Sequence, residues 1–244
     1  MVYRWWNVAA FAVVLALNGL AYVLPLGGRT TGEISAMFPV LIAPAPYAFS
    51  IWGVIYLLLA GFILYQLLPG AKKERELESV GPWFAISCMF NVAWLLLWHA
   101  LKIESSVFIM SALLITLCVL YLRTRSNTRS SKVQWLVQLP FSLYLGWITV
   151  ATIVNVAIVL YSNDVKLWGL SDELWTIILL VLAAGLAVLV GGRYYDPAFI
   201  AVFVWAFIAI GASMRASGSM KAAAWLLAAA LFVYALNVLK KVVR

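Results

Sequence analysis

Long, almost unbroken apolar runs separated by short polar segments dominate the pattern of this chain. A helix that spans a membrane needs about 20 apolar residues, so each long run predicts one such helix. The alternation typical of strands is absent, and helices satisfy their own backbone hydrogen bonds in lipid. The sixth and seventh runs are short, which leaves seven spans open as an alternative to eight. The predicted fold class is an all-α polytopic membrane helix bundle, whose runs are residues 5–24, 46–68, 82–101, 105–122, 135–161, 174–190, 198–214 and 222–239.

Composition and charge support a membrane location and orient the chain. Hydrophobic residues make up 66% of the chain and charged residues 11%, whereas soluble domains are about 25% charged. With eight spans, twelve of the 17 Lys and Arg residues fall on the side of both termini. Cytoplasmic loops carry such an excess, so the N- and C-termini are predicted to be cytoplasmic. The net charge of +8 therefore reflects orientation and contact with anionic membrane lipid, and we expect no nucleic-acid partner.

The link between the first two runs, residues 26–45, is apolar and carries several prolines. Proline cannot continue a helix from the residues before it. A segment of this kind either folds back over the helix ends as a lid or runs along the membrane interface as a connector, and both interpretations stay open. For a lid, the contacts are expected from Phe38, Pro44 and Pro46.

The 12 tryptophans of the chain divide by depth. Half of them lie at or near span ends, as expected for aromatic anchors at the membrane interface: Trp5, Trp6, Trp83, Trp135, Trp168 and Trp175. Interfacial anchoring leaves Trp98 and Trp225 ambiguous. It does not explain the deep tryptophans, which are Trp52, Trp94, Trp147 and Trp205.

Helical spacing arranges the deep tryptophans in stripes with tyrosine and asparagine. Residues three or four apart share one face of a helix, which groups Asn91 with Trp94 and Trp98 on the third span. Trp52 and Tyr56 are four residues apart on the second span. The fifth span carries a longer stripe, formed by Tyr144, Trp147, Ala151 and Asn155.

Polar groups at membrane depth are costly, so each is expected either to have a hydrogen-bond partner or to serve a function. The stripes therefore have two interpretations. One is helix–helix packing in which asparagine donates between helices. The other is an aromatic-lined pocket for a flat, apolar ligand with a few polar anchors.

These stripes resemble the translocator protein (TspO) family, the tryptophan-rich sensory proteins. In that family a proline-rich lead-in opens the second helix and is followed by Trp and by an aromatic residue four positions on. The third helix carries Asn-x-x-Trp, and the fifth carries Tyr-x-x-Trp with Asn eight residues after the Trp. The order and the gaps agree over residues 5–161. The matching residues are Pro44, Pro46, Trp52 and Tyr56 for the second helix, Asn91 and Trp94 for the third, and Tyr144, Trp147 and Asn155 for the fifth.

The resemblance implies a five-helix bundle, residues 1–162, with a ligand pocket under the first loop. Residues 163–244 would then be a domain of about three additional helices, which the five-helix members lack. It further implies a hydrophobic ligand of the porphyrin or haem-like class, no required cofactor, a bacterial plasma membrane location and, because family members often dimerise, a homodimer. The implied ligand-binding residues are Trp52, Tyr56, Asn91, Trp94, Trp98, Tyr144, Trp147, Ala151 and Asn155.

The function expected from these observations is binding of a flat hydrophobic ligand, as a sensor or a carrier. A small-solute transporter is the alternative, which the length suits, although no acid or base lies well inside a span. Without an acid–base pair at depth we expect no catalytic residues. The resemblance allows at most light-dependent porphyrin breakdown, at Trp52 and Trp147. No metal site is expected from the single histidine, His99, and two isolated cysteines.

Overall fold

The computed structural model describes residues 3–24, 26–126, 130–165, 169–215 and 217–243, and within these ranges the regular structure is helical. Trp168, one of the predicted interfacial anchors, lies outside the described residues, as do Arg129, Lys166 and Arg244 of the 17 basic residues. Short 3₁₀ turns cover Leu26–Gly28, Pro46–Ser50 and Pro69–Lys73. The α-helices are α1 (Arg4–Val23), α2 (Thr31–Met37), α3 (Ile51–Leu67), α4 (Arg75–Val80), α5 (Trp83–His99), α6 (Ile103–Thr124), α7 (Ser131–Val133), α8 (Leu139–Ser162), α9 (Asp172–Arg193), α10 (Pro197–Gly211) and α11 (Gly218–Val243).

Each of the eight predicted apolar runs contains one apolar helix. Six helical segments are long and apolar enough to cross a membrane, and α5 and α10 are shorter apolar helices of 17 and 15 residues. The sixth run, expected to be short, forms the 22-residue helix α9. At a rise of about 1.5 Å per residue, α10 is only about 22 Å long, less than the ~30 Å hydrocarbon core. The all-α polytopic class is confirmed, and the number of crossings is not fixed by helix length alone.

A wide helical turn directly precedes α8, and the aromatic residues of the predicted stripe lie after it. The segment Gln134–Gln138 is a π-helix, in which the Leu139 N–H bonds back to the Gln134 carbonyl. Pro140 accounts for this turn, because proline lacks an N–H and its ring clashes with the carbonyl four residues earlier. Tyr144 and Trp147 both follow the wide turn, so they keep the spacing of a regular α-helix relative to each other.

The chain divides into two compact units, which are described separately. The first unit comprises Met1–Thr31 and Ser50–Ile148. Within it, α5 packs against α1 and α6, and α1 also contacts α3. The rings of four phenylalanines form its apolar core, with centroids 5.1 to 6.1 Å apart: Phe11 of α1, Phe62 of α3, Phe84 of α5 and Phe141 of α8.

The second unit comprises Gly32–Phe49 and Thr149–Arg244. Its centre is α10, which packs against both α9 and α11. This helix is apolar all round and ten of its 15 residues are buried, as expected for a helix packed between others. Asp196 caps its N-terminus by accepting from the N–H groups of Ala198 and Phe199. The predicted domains 1–162 and 163–244 differ from these units and stay a prediction.

Candidate functional site

An aromatic cluster on α3 and α8 brings together four of the residues predicted from the stripes. The Trp52 ring stacks on Tyr56, with centroids 5.2 Å apart and an interplanar angle of 18°. Tyr144 and Trp147 approach the same ring edge-on, at 5.8 Å and 6.5 Å. Tyr144 and Trp147 are each 2% exposed, and Trp52 is partly exposed. Offset-stacked and edge-on rings are the favourable arrangements for aromatic pairs, so Trp52 is the centre of a specific cluster.

A chain of hydrogen bonds joins three helices beside this cluster. Asn18 of α1 donates its Nδ2 to the Val14 carbonyl and to Asn91 Oδ1, both at 3.0 Å. Asn91 of α5, which is 1% exposed, donates its Nδ2 to the Tyr144 hydroxyl of α8 at 3.0 Å. Asn91 thus serves as an interhelical hydrogen-bonding residue of the first unit.

Sequence reasoning missed Asn18. It is an amide well inside an apolar run, and the cost of such a group at membrane depth could have drawn attention to it. Its partner lies 73 residues away, so spacing along one helix could not have supplied the pairing.

Tyr56 differs from the other polar members of the cluster. Its hydroxyl is buried and makes no hydrogen bond of standard geometry among the described residues, although the Asn91 side chain lies close to it. A buried hydroxyl without a partner costs about 1–3 kcal/mol. The Tyr56 hydroxyl is therefore the point of the cluster at which a polar atom of a ligand would gain most.

Trp94 and Trp98 form a separate stacked pair near the end of α5, with ring centroids 5.5 Å apart. The Trp98 Nε1 donates to the Thr31 carbonyl at 3.2 Å, and His99 Nε2 lies 3.3 Å from the Thr31 hydroxyl. Trp98 and His99 therefore both contact Thr31, the last residue of this part of the first unit.

The remaining predicted site residues belong to the second unit. Ala151 and Asn155 follow Trp147 on α8 by one and two turns; Ala151 is partly buried and Asn155 is 2% exposed. Of the predicted lid residues, Pro44 is buried, Phe38 is partly buried and Pro46 is exposed.

The segment Gly32–Phe49 is fastened to α10 and to the residues after it. Arg215 donates to the backbone carbonyls of Ala36 and Phe38. The Ala45 N–H donates to the Ala209 carbonyl at 3.0 Å. Trp205 donates its Nε1 to the Ala48 carbonyl at 3.0 Å, and its ring meets that of Tyr47 edge-on at 5.5 Å. The deep Trp205 therefore anchors this segment.

Among the described residues, no group of three or more His, Cys, Asp or Glu side chains could hold a metal ion. Cys88 and Cys118 are free cysteines.

Several apolar helices, two of them too short to be assigned by length, and a buried aromatic cluster define a polytopic helical membrane protein. The particular family follows from comparison with known proteins. A family model described as TSPO-like protein matches residues 4–237, and the chain belongs to this family. The match extends beyond residues 5–161, over which the motifs agree, and takes in α9, α10 and most of α11. No curated protein and no solved structure matches the chain.

Proposed function

We propose that this protein binds a flat hydrophobic ligand of the porphyrin class at the aromatic cluster of the first unit, as a sensor or a carrier. The observation that carries the proposal is the surrounding of Trp52 by Tyr56, Tyr144 and Trp147, with the Tyr56 hydroxyl buried and unpaired. Aromatic rings offer a large apolar contact to a planar ligand, and a few polar groups orient it.

The membrane arrangement that accompanies this function is also a proposal. We take all eight apolar helices as crossings of a bacterial plasma membrane, with both termini in the cytoplasm. The shorter α5 and α10 fit because a short helix is accommodated by local bilayer thinning or by enclosure in protein. Ala151, Asn155 and the segment with Phe38, Pro44 and Pro46 stay proposed as further ligand contacts, and a homodimer stays an expectation of the family resemblance.

Binding is tested with protoporphyrin IX and the protein in lipid nanodiscs, followed by the porphyrin absorbance. Tryptophan fluorescence is the weaker readout, because each substitution removes one of the emitters. Trp52→Leu and Trp147→Leu are each expected to raise the Kd about tenfold or more, since each removes a ring of the cluster. Trp5→Leu, at a position 63% exposed, is the matched control and should leave the Kd unchanged. Unchanged affinity in both cluster variants would mean that the rings only pack the bundle.

The alternative function, a small-solute transporter, would require a different set of residues inside the membrane. Ion-coupled transporters place ionisable groups near the middle of the membrane. Of the described Asp, Glu, His, Lys and Arg residues, the buried ones are His99, at the end of α5, and Asp196, which caps α10. Proton- or sodium-driven uptake into proteoliposomes would favour the transporter over the sensor or carrier.

A further inference from the structure

The hydrogen bonds around Asn18 have a fixed direction. The Val14 carbonyl can only accept, so the atom of Asn18 that faces it must be the amide nitrogen. The same nitrogen carries a second hydrogen, which it donates to Asn91. Asn91 must therefore present its oxygen to Asn18, because the reverse orientation would set two amide nitrogens against each other.

This direction passes through Asn91 to the aromatic cluster. With its oxygen facing Asn18, Asn91 presents its amide nitrogen to Tyr144 and donates to the hydroxyl oxygen. The Tyr144 hydroxyl is thereby an acceptor towards Asn91, and its own hydrogen is left to donate elsewhere. Among the described residues, no acceptor takes that hydrogen.

Two phenols thus supply the hydroxyl hydrogens that the cluster can donate. Tyr144 is committed as a donor, and the unpaired hydroxyl of Tyr56 can donate as well. Both rings contact Trp52. A ligand that rests against Trp52 and carries an acceptor would pair these hydrogens, whereas a ligand without one would leave them unpaired in a dry site.

We propose that Asn18 is a positioning residue that makes the cluster selective for flat ligands carrying a hydrogen-bond acceptor. The acceptor is a carbonyl or carboxylate oxygen on the rim of the ring system. Asn18 acts through Asn91 and Tyr144 and does not itself touch the ligand. This inference rests on the proposed porphyrin-class ligand. It specifies that the members of this class with a rim acceptor bind best.

The test compares two porphyrins of the same ring system in nanodiscs, with binding to empty nanodiscs subtracted. Protoporphyrin IX dimethyl ester carries carbonyl acceptors and no charge, and etioporphyrin carries only alkyl groups. The wild-type protein is expected to bind the ester roughly tenfold more tightly, the size of effect that one well-placed hydrogen bond supplies. Because neither probe is charged at its rim, charge does not contribute to the ratio of the two Kd values, and the change of this ratio when the Tyr144 hydroxyl is removed reports hydrogen bonding.

Two variants locate the origin of the selectivity. Tyr144→Phe removes the committed donor, and Asn18→Leu frees the Asn91 amide to turn and accept from Tyr144. Both are expected to bring the ratio of Kd values close to one, and elution of each variant as a single species in detergent shows that it is folded. Asn7→Leu is the matched control: Asn7 is a buried asparagine of α1 that donates to Gln66, and its loss should leave the ratio unchanged.

The outcomes separate this inference from the function on which it rests. If neither porphyrin binds, the proposed function is wrong and the inference falls with it. If both bind the wild-type protein equally well, the selectivity is refuted and the proposed function stands. If Tyr144→Phe brings the ratio of Kd values to one and Asn18→Leu leaves it at the wild-type value, Tyr144 donates without help from Asn18. That result overturns the role given to Asn18.

Discussion

At the scale of single residues, the polar groups inside the apolar helices of the first unit are organised around Asn91. It accepts from Asn18 and donates to Tyr144, so its amide links α1, α5 and α8. Side-chain hydrogen bonds between membrane helices are worth about 0.6 kcal/mol on average and up to about 1.7. This explains how an asparagine can be 1% exposed in an apolar helix, and it favours the internal bonding role over direct ligand contact.

Replacing Asn91 is expected to destabilise the protein. Asn91→Ala removes both hydrogen bonds and leaves the Asn18 amide and the Tyr144 hydroxyl short of a partner, at a cost of about 1–3 kcal/mol. Thermal unfolding in detergent should show a lower Tm. Asn163→Ala is the control, because the Asn163 amide is exposed and donates locally to the Val159 carbonyl of the preceding turn. The double variant Asn18→Ala/Asn91→Ala should be less destabilised than the sum of the single changes, since the two side chains share a bond; simple additivity would contradict the coupling.

The second prediction at this scale concerns light. If the protein breaks down bound porphyrin by photochemistry, we expect the indole rings of Trp52 and Trp147 in the cluster to act as redox partners. Trp52→Phe and Trp147→Phe should then each slow the spectral change of bound protoporphyrin IX under illumination, with the aromatic packing retained. Trp225→Phe, at an exposed position, serves as the control. Equal rates in all four proteins would exclude this chemistry.

At the scale of elements, the segment Gly32–Phe49 is the least expected part of the fold. In sequence it connects α1 to α3, but its hydrogen bonds and ring contacts within the second unit are with α10 and Arg215. The C-terminal helices therefore determine how this segment is held. This arrangement gives α10 and the residues after it a structural role that the five-helix bundle implied by the resemblance does not contain.

Arg215 should control the mobility of this segment. Arg215→Gln replaces a planar group with five N–H donors by a shorter amide, which cannot serve the Ala36 and Phe38 carbonyls together. Hydrogen exchange of the backbone amides of α2 is expected to become faster in this variant. Lys221→Gln is the matched control, since it removes a positive charge from an exposed position nearby in sequence. Exchange that is equally fast in both variants would point to charge rather than to hydrogen bonding.

The packing of α9 on α10 depends on one glycine. A Cβ added at Gly191 would lie 2.3 Å from Ile200 Cγ1 of the buried helix α10, whereas one added at Gly185 would have no atom within 4 Å. Gly191→Ala is therefore expected to destabilise the protein by about 1–3 kcal/mol through overpacking. Gly185→Ala should be neutral or stabilising by up to about 1 kcal/mol, because alanine is the better helix former. Equal Tm values for the two variants would refute the close contact.

At the scale of the whole molecule, we expect the distribution of positive charge to set the orientation in the membrane. Twelve of the 17 basic residues fall on the side assigned to the cytoplasm when eight spans are assumed. An even number of crossings places both termini on one side, whereas seven would place them on opposite sides.

Reporter fusions distinguish these arrangements. A fluorescent protein that matures only in the cytoplasm is expected to be bright when fused at either terminus, and alkaline phosphatase, active only outside, is expected to be inactive at both. A bright reporter at the N-terminus with active phosphatase at the C-terminus would establish an odd number of crossings.

The sequence alone determined the helices and the faces on which their aromatic residues lie. Hydrophobic runs located all eight apolar helices to within a few residues, because lipid demands a continuous apolar stretch with internally satisfied backbone groups. Three- and four-residue spacing grouped Trp52 with Tyr56 and Tyr144 with Trp147, because the helical period is a local property. The comparisons then confirmed the family that these motifs resemble.

Only the tertiary structure decided which partner each polar group has. Asn18 and Asn91 are 73 residues apart, and Arg215 and Phe38 are 177 residues apart. Periodicity within one helix carries no information about such pairs, because a hydrogen bond needs two atoms from different segments to meet at about 3 Å with the correct orientation. The tertiary contacts give the Asn91 amide two partners inside the bundle and leave the Tyr56 hydroxyl without a hydrogen bond of standard geometry. They also join the segment Gly32–Phe49 to α10 and Arg215.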